Sequence, residues 1–411
     1  MAPLEGLALP ELIQIEPIHT CNLRCVMCHV SYEKLTHRRL DVPLLLERLR
    51  GLEGRWVDLG GMYEPAAHPQ FAELVRGLAA LEMKICFISN GTLFSRKLIR
   101  ELAGIPLEQV TISFDGASAQ SYERIRRRAQ YARTLERVAA FKQSASATKF
   151  FAVNQTVLRA NVGELADSVD VWEQLDFDHM GFIPMVQRSR DPRVVEQVLG
   201  EGDPVLVREI ENAARRVIER RYRISLSSLI YAGPLALKRE HPGAFEETLV
   251  RSANPAARAP HIPFNEIQTG HFPGMQVNCR SPFTALRIDY HGNVNLCQSL
   301  FRIGHLRDAS LIDLWYGSAA TRVRRGLMRD ASVCHTCDYY RFCVNPAGAE
   351  TSMPSRLSLQ QTGLYLRASS FARRARILGP RLTLDVVADK LQRSLAARGL
   401  EPLPGEVDEA T

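Results

Sequence analysis

Three cysteines stand close together in His19-Thr20-Cys21-Asn22-Leu23-Arg24-Cys25-Val26-Met27-Cys28, with the spacing C-x3-C-x2-C. A closed zinc or iron–sulfur site takes four protein ligands. Three thiols therefore leave one metal position open to another molecule. Five more cysteines lie downstream: Cys279, Cys297, and then Cys334, Cys337 and Cys343 in a C-x2-C-x5-C run. Five thiols suffice for one four-thiolate cluster and fall short of two. The competing reading is zinc, with His19 or His29 completing the first set and four cysteines the second. The ninth cysteine, Cys86, falls inside an apolar run and reads as a small buried residue.

These residues need a scaffold, and the sequence supplies one. Strands are predicted at Leu12–Pro17, Arg55–Gly60, Met83–Ser89, Gln109–Phe114, Lys149–Leu158 and His179–Pro184. Helical segments near 42–52, 69–81, 94–103, 119–145 and 163–175 separate them, with apolar residues three and four apart. Strand–helix alternation of this kind builds a parallel sheet, and six units are too few for a closed eight-stranded barrel. The expected fold class is α/β, a partial (β/α)6 TIM-like barrel over 1–185, followed by a small α+β cluster domain. Cys21, Glu64, Asn90 and Asp115 each follow a predicted strand, which sets them on one rim. Residues 186–270 form a bridging, substrate-facing region with a helix near 204–221. A cysteine-rich domain spans 271–350, with a hairpin from Leu286–Asp289 through His291-Gly292-Asn293 to Val294–Cys297. A basic helical tail covers 351–411.

Composition narrows the setting. With 45% hydrophobic and 24% charged residues the chain has enough apolar material for a large core and none of the bias of a disordered protein. No apolar run reaches the roughly 20 residues of a membrane span, and the N-terminus lacks the pattern of a secretion signal, so the cytoplasm is the expected compartment. There, metal binding is a better use of cysteines than disulfides. The net charge of +7 gathers at Arg124, Arg126, Arg127 and Arg128 and again at Arg373, Arg374, Arg376 and Arg381. Such patches suit an acidic electron carrier better than nucleic acid, and most of these arginines read as solvated helix faces.

The C-x3-C-x2-C loop after the first strand of a partial barrel resembles the radical S-adenosylmethionine (SAM) superfamily. That resemblance implies a [4Fe–4S] cluster on Cys21, Cys25 and Cys28 whose open iron chelates SAM and cleaves it to a 5′-deoxyadenosyl radical. Further motifs extend it over about residues 10–185. Gly60-Gly61-Met62-Tyr63-Glu64-Pro65 is similar to the glycine and glutamate motif that binds the cofactor's ammonium, with Tyr63 where a glycine is common. Ser89-Asn90-Gly91-Thr92 resembles the third-strand turn, and Ser113 with Asp115 the ribose-contacting segment. Arg159 and Asn161 are placed to reach the cofactor carboxylate. The downstream cysteines, with Ile303-Gly304-His305-Leu306 and Leu311–Trp315, resemble the SPASM or twitch domain. This implies one auxiliary [4Fe–4S] cluster, since Ala347 stands where a full SPASM domain has a further cysteine. The twitch pattern uses Cys279, Cys297, Cys334 and Cys337 and leaves Cys343. The set Cys334, Cys337, Cys343 and one hairpin cysteine remains open.

The expected activity is hydrogen abstraction from a carbon by an oxidoreductase or epimerase. Redonation from Cys343 or Cys86 would invert a stereocentre, and electron loss to the auxiliary cluster would dehydrogenate. Cys21 stands too early for a preceding peptide-docking or cobalamin domain, which points to a small polar metabolite such as a sugar, aminocyclitol or oligosaccharide of an antibiotic pathway. The alternatives are a peptide- or protein-modifying maturase and a non-catalytic iron–sulfur or zinc protein. A flavodoxin or ferredoxin-like protein is the expected electron donor.

Overall fold

The structure is a computed structural model that describes residues 4, 6–185, 192–199, 203–228, 281–297 and 301–329. Cys279, Cys334, Cys337 and Cys343 lie outside the described residues, as do the arginines at 373–381. In chain order the described strands are β1 (Leu12–Ile15), β2 (Arg24–Cys25), β3 (Trp56–Leu59), β4 (Lys84–Ser89), β5 (Gln109–Ser113), β6 (Arg126–Arg127), β7 (Phe151–Val157), β8 (His179–Pro184), β9 (Ser225–Ser228), β10 (Ala285–Ile288), β11 (Asn293–Asn295) and β12 (Arg302–His305). The chain forms two compact units, one drawn from Glu16–Val42 and Trp56–Ile262, the other from Met1–Ile15, Pro43–Arg55 and Pro263–Thr411.

In the larger unit β3, β4, β5, β7, β8 and β9 lie side by side, all parallel. Successive side chains alternate between the faces of a strand. Phe87 of β4 meets Phe71 of helix Phe71–Ala80 and Phe141 of helix Tyr131–Ser144. Phe114, just past β5, stacks on Tyr122 at 3.9 Å and meets Trp172 edge-on at 5.1 Å. The register Asp58↔Cys86↔Gln109 puts Asp58, Gln109, Thr111 and Ser113 on the opposite, polar face. The strand ends that carry Gly60, Ser89 and Ser113 therefore share one edge of the sheet.

The predicted strands are all present. The serine-rich β9 is an addition, because Ser225-Leu226-Ser227-Ser228 offers no β-branched signal. The predicted helix over 204–221 forms at Pro204–Arg220, with Asp203 capping the amides of Val205 and Leu206. The predicted continuous helix over 119–145 is instead broken. Helix Ala119–Ile125 stops, Arg126–Arg127 pairs antiparallel with Arg24–Cys25, and Tyr131–Ser144 resumes the helix. The apolar spacing runs through the break without a glycine or proline, so periodicity cannot reveal it. The reading of Arg126 as part of a solvated basic face is corrected with it, since Arg126 is only 6% exposed.

In the smaller unit β1 runs parallel to β10, and β10, β11 and β12 are antiparallel neighbours. The hairpin turn is held by Asp289, whose Oδ1 accepts from the amides of His291 at 2.9 Å and Asn293 at 3.0 Å. Gly292 adopts φ +89°, where a Cβ would also stand 2.9 Å from the His305 ring. Helices Leu311–Tyr316 and Ser318–Arg329 follow β12.

Candidate functional site: the cysteine loop

The loop from Cys21 to Cys28 is shaped by its own polar groups. Arg24 Nη1 donates to the carbonyls of Cys21 and Leu23, each at 2.8 Å, and curls the first turn. The β2–β6 ribbon and the Val26 amide, which donates to Ile125 at 2.9 Å, tie the second turn to the helix break. Ser31 Oγ and Tyr32 Oη donate to the carbonyls of Cys25 and Val26 and close the third. Burial pushes the Cys21 thiol up to about 11, with Glu64 and Cys28 adding to it. It pushes Cys25 to about 12, where Arg126 pulls down and the other two thiols push up. The three sulfurs thus act on one another in a desolvated place, where thiolates persist only beside cationic charge. That donor set fits an iron–sulfur cluster, which supplies the charge. Among the described residues no three His, Cys, Asp or Glu side chains are set to hold one metal ion, whereas each thiolate of a cluster can ligate a different iron.

The strand ends close on this loop. Asn90 Nδ2 donates to Asn22 Oδ1 at 3.1 Å, Asn22 Nδ2 to Thr92 Oγ1 at 2.7 Å, and Asn90 Nδ2 lies 3.8 Å from Cys21 Sγ. Glu64 is buried and accepts from Ser89 Oγ at 2.8 Å, the Asn90 amide at 2.8 Å and the Ala66 amide at 3.2 Å. Burial raises its pKa above the ordinary carboxylate range despite these donors. Gly60 and Gly61 have φ of +91° and +113°, and a Cβ on Gly60 would meet the Pro65 ring at 2.9 Å. They let the chain fold over after β3, so that the Glu64 amide donates to Thr20 at 3.0 Å. Gly60, Gly61, Glu64, Ser89 and Asn90 are thus brought together beside Cys21.

Other anticipated contacts fall elsewhere. Asp115 is fully buried, with its carboxylate 2.8 Å from Arg126 Nε and accepting from the Thr156 amide at 2.7 Å. It anchors the helix break, a role the ribose reading did not foresee, while Ser113 stays on the polar face. Arg159 is drawn away, donating to Glu196 O at 3.2 Å and lying 3.4 Å from Asp203. Asn161 is spent on the Thr156 and Asp115 carbonyls and the Leu158 amide. Cys86 is buried mid-strand opposite Asp58 and Gln109, three residues before the edge at Ser89, as its reading as a small buried residue expects.

Sequence reading missed the contacts that join Glu33, His19 and Tyr63 around the loop. Glu33 Oε1 accepts from Tyr63 Oη at 2.7 Å and pairs with His19 Nε2 at 2.5 Å, while His19 Nδ1 accepts from the Thr36 amide at 3.1 Å. Burial would raise Glu33, but the hydrogen bonds from His19 and Tyr63 hold it below the usual range. Both His19 ring nitrogens are therefore engaged by protein groups rather than set toward the thiols. Tyr63, the departure from the glycine motif, was the available signal.

Asp58 behaves differently. Its Oδ1 has no hydrogen-bond partner among the described residues, and burial together with the nearby Glu16 holds its pKa well above the ordinary range. A carboxyl with a raised folded pKa keeps its stability below the unfolded value and loses it as pH climbs toward the folded one. Asp58→Asn is accordingly expected to stabilise the chain by about 1–3 kcal/mol at pH 8 and to change little at pH 4, measured by urea unfolding at both.

Residues 15–159 match the Radical SAM superfamily and residues 279–338 the SPASM iron–sulfur cluster-binding domain. The chain carries a radical SAM domain followed by a SPASM domain. Its cofactors are SAM, a SAM-cleaving [4Fe–4S] cluster and auxiliary iron–sulfur. Among curated relatives, this radical SAM chain is 30% identical over 168 residues to mycofactocin maturase MftC of Mycobacterium ulcerans, covering 39% of this chain and 44% of that one. It is 30% identical over 107 residues to the tungsten-containing aldehyde ferredoxin oxidoreductase cofactor-modifying protein of Pyrococcus furiosus, 25% of this chain and 30% of that one. The matches span less than half the length of either relative. Among solved structures, Streptococcus suis SuiB bound to SAM aligns with TM-score 0.56 at 16% identity, over 82% of this chain and 72% of SuiB. Native anSMEcpe with bound SAM and a peptide aligns with TM-score 0.53 at 16% identity, over 92% and 99%. These two show the shared partial-barrel fold.

The relatives overturn the small-metabolite reading. A maturase and a cofactor-modifying protein stand where a sugar or aminocyclitol epimerase or dehydrogenase was expected. That expectation leaned on how early Cys21 comes, and the position of a loop in the sequence says nothing about what the sheet edge holds. No helix among the described residues is long and apolar enough to cross a membrane.

Proposed function

We propose that this radical SAM enzyme is a maturase that abstracts hydrogen from a peptide or a peptide-derived cofactor precursor. The observation that carries this is the 30% identity over 168 residues to mycofactocin maturase MftC. When bound, the cluster and SAM supply the 5′-deoxyadenosyl radical. Cys21, Cys25 and Cys28 hold the cluster, and the curled loop keeps them oriented before it is loaded. Glu64, fixed by Ser89 and Asn90, keeps a lone pair for the cofactor's ammonium. The turn at Gly60 and Gly61 presents main-chain groups beside it, and Ser113 faces the same edge. A flavodoxin or ferredoxin-like donor is read as docking at the ribbon, where Arg127 and Arg128 are exposed next to the Cys25 strand.

The test is anaerobic turnover of the reconstituted full chain with SAM, dithionite and peptides encoded beside its gene, followed by mass spectrometry. Peptide-dependent 5′-deoxyadenosine in step with a mass change on the peptide is expected. Peptides left unchanged while a sugar or aminocyclitol stimulates the nucleoside would overturn the reading.

A further inference from the structure

Glu33 stands five residues past Cys28 and His19 two before Cys21, so the 2.5 Å contact between Glu33 Oε1 and His19 Nε2 draws the two ends of the cysteine loop together. The same carboxylate oxygen accepts from Tyr63 Oη at 2.7 Å. Tyr63 belongs to the turn after β3, one residue before Glu64. One oxygen atom therefore joins three segments: the entry of the loop, its exit, and the turn that carries Glu64. The Tyr63 ring also meets two imidazoles edge-on, His19 at 4.7 Å and His29 at 5.6 Å between ring centroids. A glycine at this position could make none of these contacts.

The rest of the turn is tied down residue by residue. The Met62 amide donates to Glu16 Oε1 at 2.9 Å, and the Glu64 amide to Thr20 O at 3.0 Å. Thr20 directly precedes the first cysteine, so that main-chain bond fastens Glu64 to the loop's entry. The Tyr63 hydroxyl fastens the same turn to the loop's exit, through a hydrogen bond strengthened by the charge of its acceptor. A ligand gripped from two segments binds best when those segments are already set relative to one another, because binding then has less left to order. SAM is such a ligand when the cluster on the loop and Glu64 on the turn hold it.

We propose that Tyr63 and Glu33 form a clasp that sets the Gly60–Glu64 turn against both ends of the cysteine loop, making Tyr63 a positioning residue for SAM. The inference rests on Glu64 receiving the SAM ammonium and is independent of the substrate proposed above.

The experiment reconstitutes the full chain anaerobically and omits reductant, so that SAM is bound and not cleaved. The SAM dissociation constant by equilibrium dialysis, the iron content and the unfolding temperature are compared with the parent. Tyr63→Phe keeps the ring and loses the hydroxyl. It is expected to hold the parent's iron, unfold close to the parent's temperature and bind SAM about tenfold more weakly. Glu33→Leu is expected to lose as much, and the double variant no more than either single, since all three lack the same contact. Glu33→Gln keeps an oxygen that accepts from Tyr63 and is expected to stay within about threefold of the parent. Glu64→Gln tests the reading beneath the clasp and is expected to weaken SAM at least as much as Tyr63→Phe. Parent-like SAM binding in Tyr63→Phe while Glu64→Gln weakens it overturns the clasp alone, and so do losses that multiply in the double variant. Loss of iron in Tyr63→Phe overturns it as well, since the hydroxyl would then shape the loop rather than place the turn. Parent-like SAM binding in Glu64→Gln removes the ammonium reading and the clasp's role with it. Should Glu33→Leu fail to fold, Tyr63→Phe and Glu33→Gln decide, and a loss in Glu33→Gln that Tyr63→Phe does not share counts against the clasp.

Discussion

Replacing any one of Cys21, Cys25 or Cys28 by alanine is expected to reduce 5′-deoxyadenosine formation to the background of the reductant and to remove about four irons per chain. Two thiols cannot retain a cluster that already leaves one iron to SAM. The loop itself should survive, because its shape comes from Arg24, from the pairing of main-chain groups with Arg126 and Arg127, and from Ser31 and Tyr32. None of those contacts needs a sulfur. Unfolding temperature is therefore expected to stay close to that of the apo parent, while iron and nucleoside are lost together. Cys86→Ala is the matched control. It removes a buried thiol mid-strand, at a cost of about 1 kcal/mol, and should leave iron and nucleoside formation intact. A single-cysteine variant that keeps both its SAM-cleaving iron and its nucleoside product would remove Cys21, Cys25 and Cys28 from the cluster. Loss of nucleoside in Cys86→Ala without loss of stability would return that thiol to the chemistry.

The grouping of the three thiols in one loop was legible because it depends on spacing alone, and the sheet edge because residues after consecutive parallel strands fall on one side. Glu64, Ser89 and Asn90 were legible for the second reason, and their mutual hydrogen bonds agree with it. What could not be read is what connects segments far apart in sequence without a periodic signature. Arg126 interrupts a helix whose apolar rhythm never falters. Asp115 looks like a rim residue until Arg126 is known to be buried beside it. Glu33 carries no motif, yet it joins His19 to Tyr63. Arg159 and Asn161 sit at the right distance past a strand but turn toward Glu196, Asp203 and the local carbonyls instead. Sequence order gives a residue's place along the edge, and only tertiary contacts decide which way its polar atoms are spent.

The Asp115–Arg126 pair shows how that tertiary choice supports the cysteine loop. Both side chains are buried, and the 2.8 Å contact between Nε and Oδ2 is a charge contact rather than an aligned hydrogen bond. Burial pushes Asp115 up more than Arg126 pulls it down, so the aspartate depends on the arginine to stay charged. Arg126 in turn lowers both Cys21 and Cys25, favouring the thiolate forms that the proposed cluster needs. Breaking such a pair from one side leaves an uncompensated buried charge. Asp115→Asn and Arg126→Met are each expected to cost about 3–5 kcal/mol, whereas the double variant should recover much of that because neither charge is then stranded. Chemical denaturation of the four apo proteins measures the cycle. Iron uptake separates the two residues further. Arg126→Met and the double variant should both load the cluster more slowly than the parent, since both lack the cation beside the thiols, even though the double variant is the more stable. If the double variant were as unstable as the worse single, the pair would be packing rather than charge. If it loaded iron at the parent's rate, Arg126 would have no part in readying the thiols, and the helix break would serve only to shape the loop.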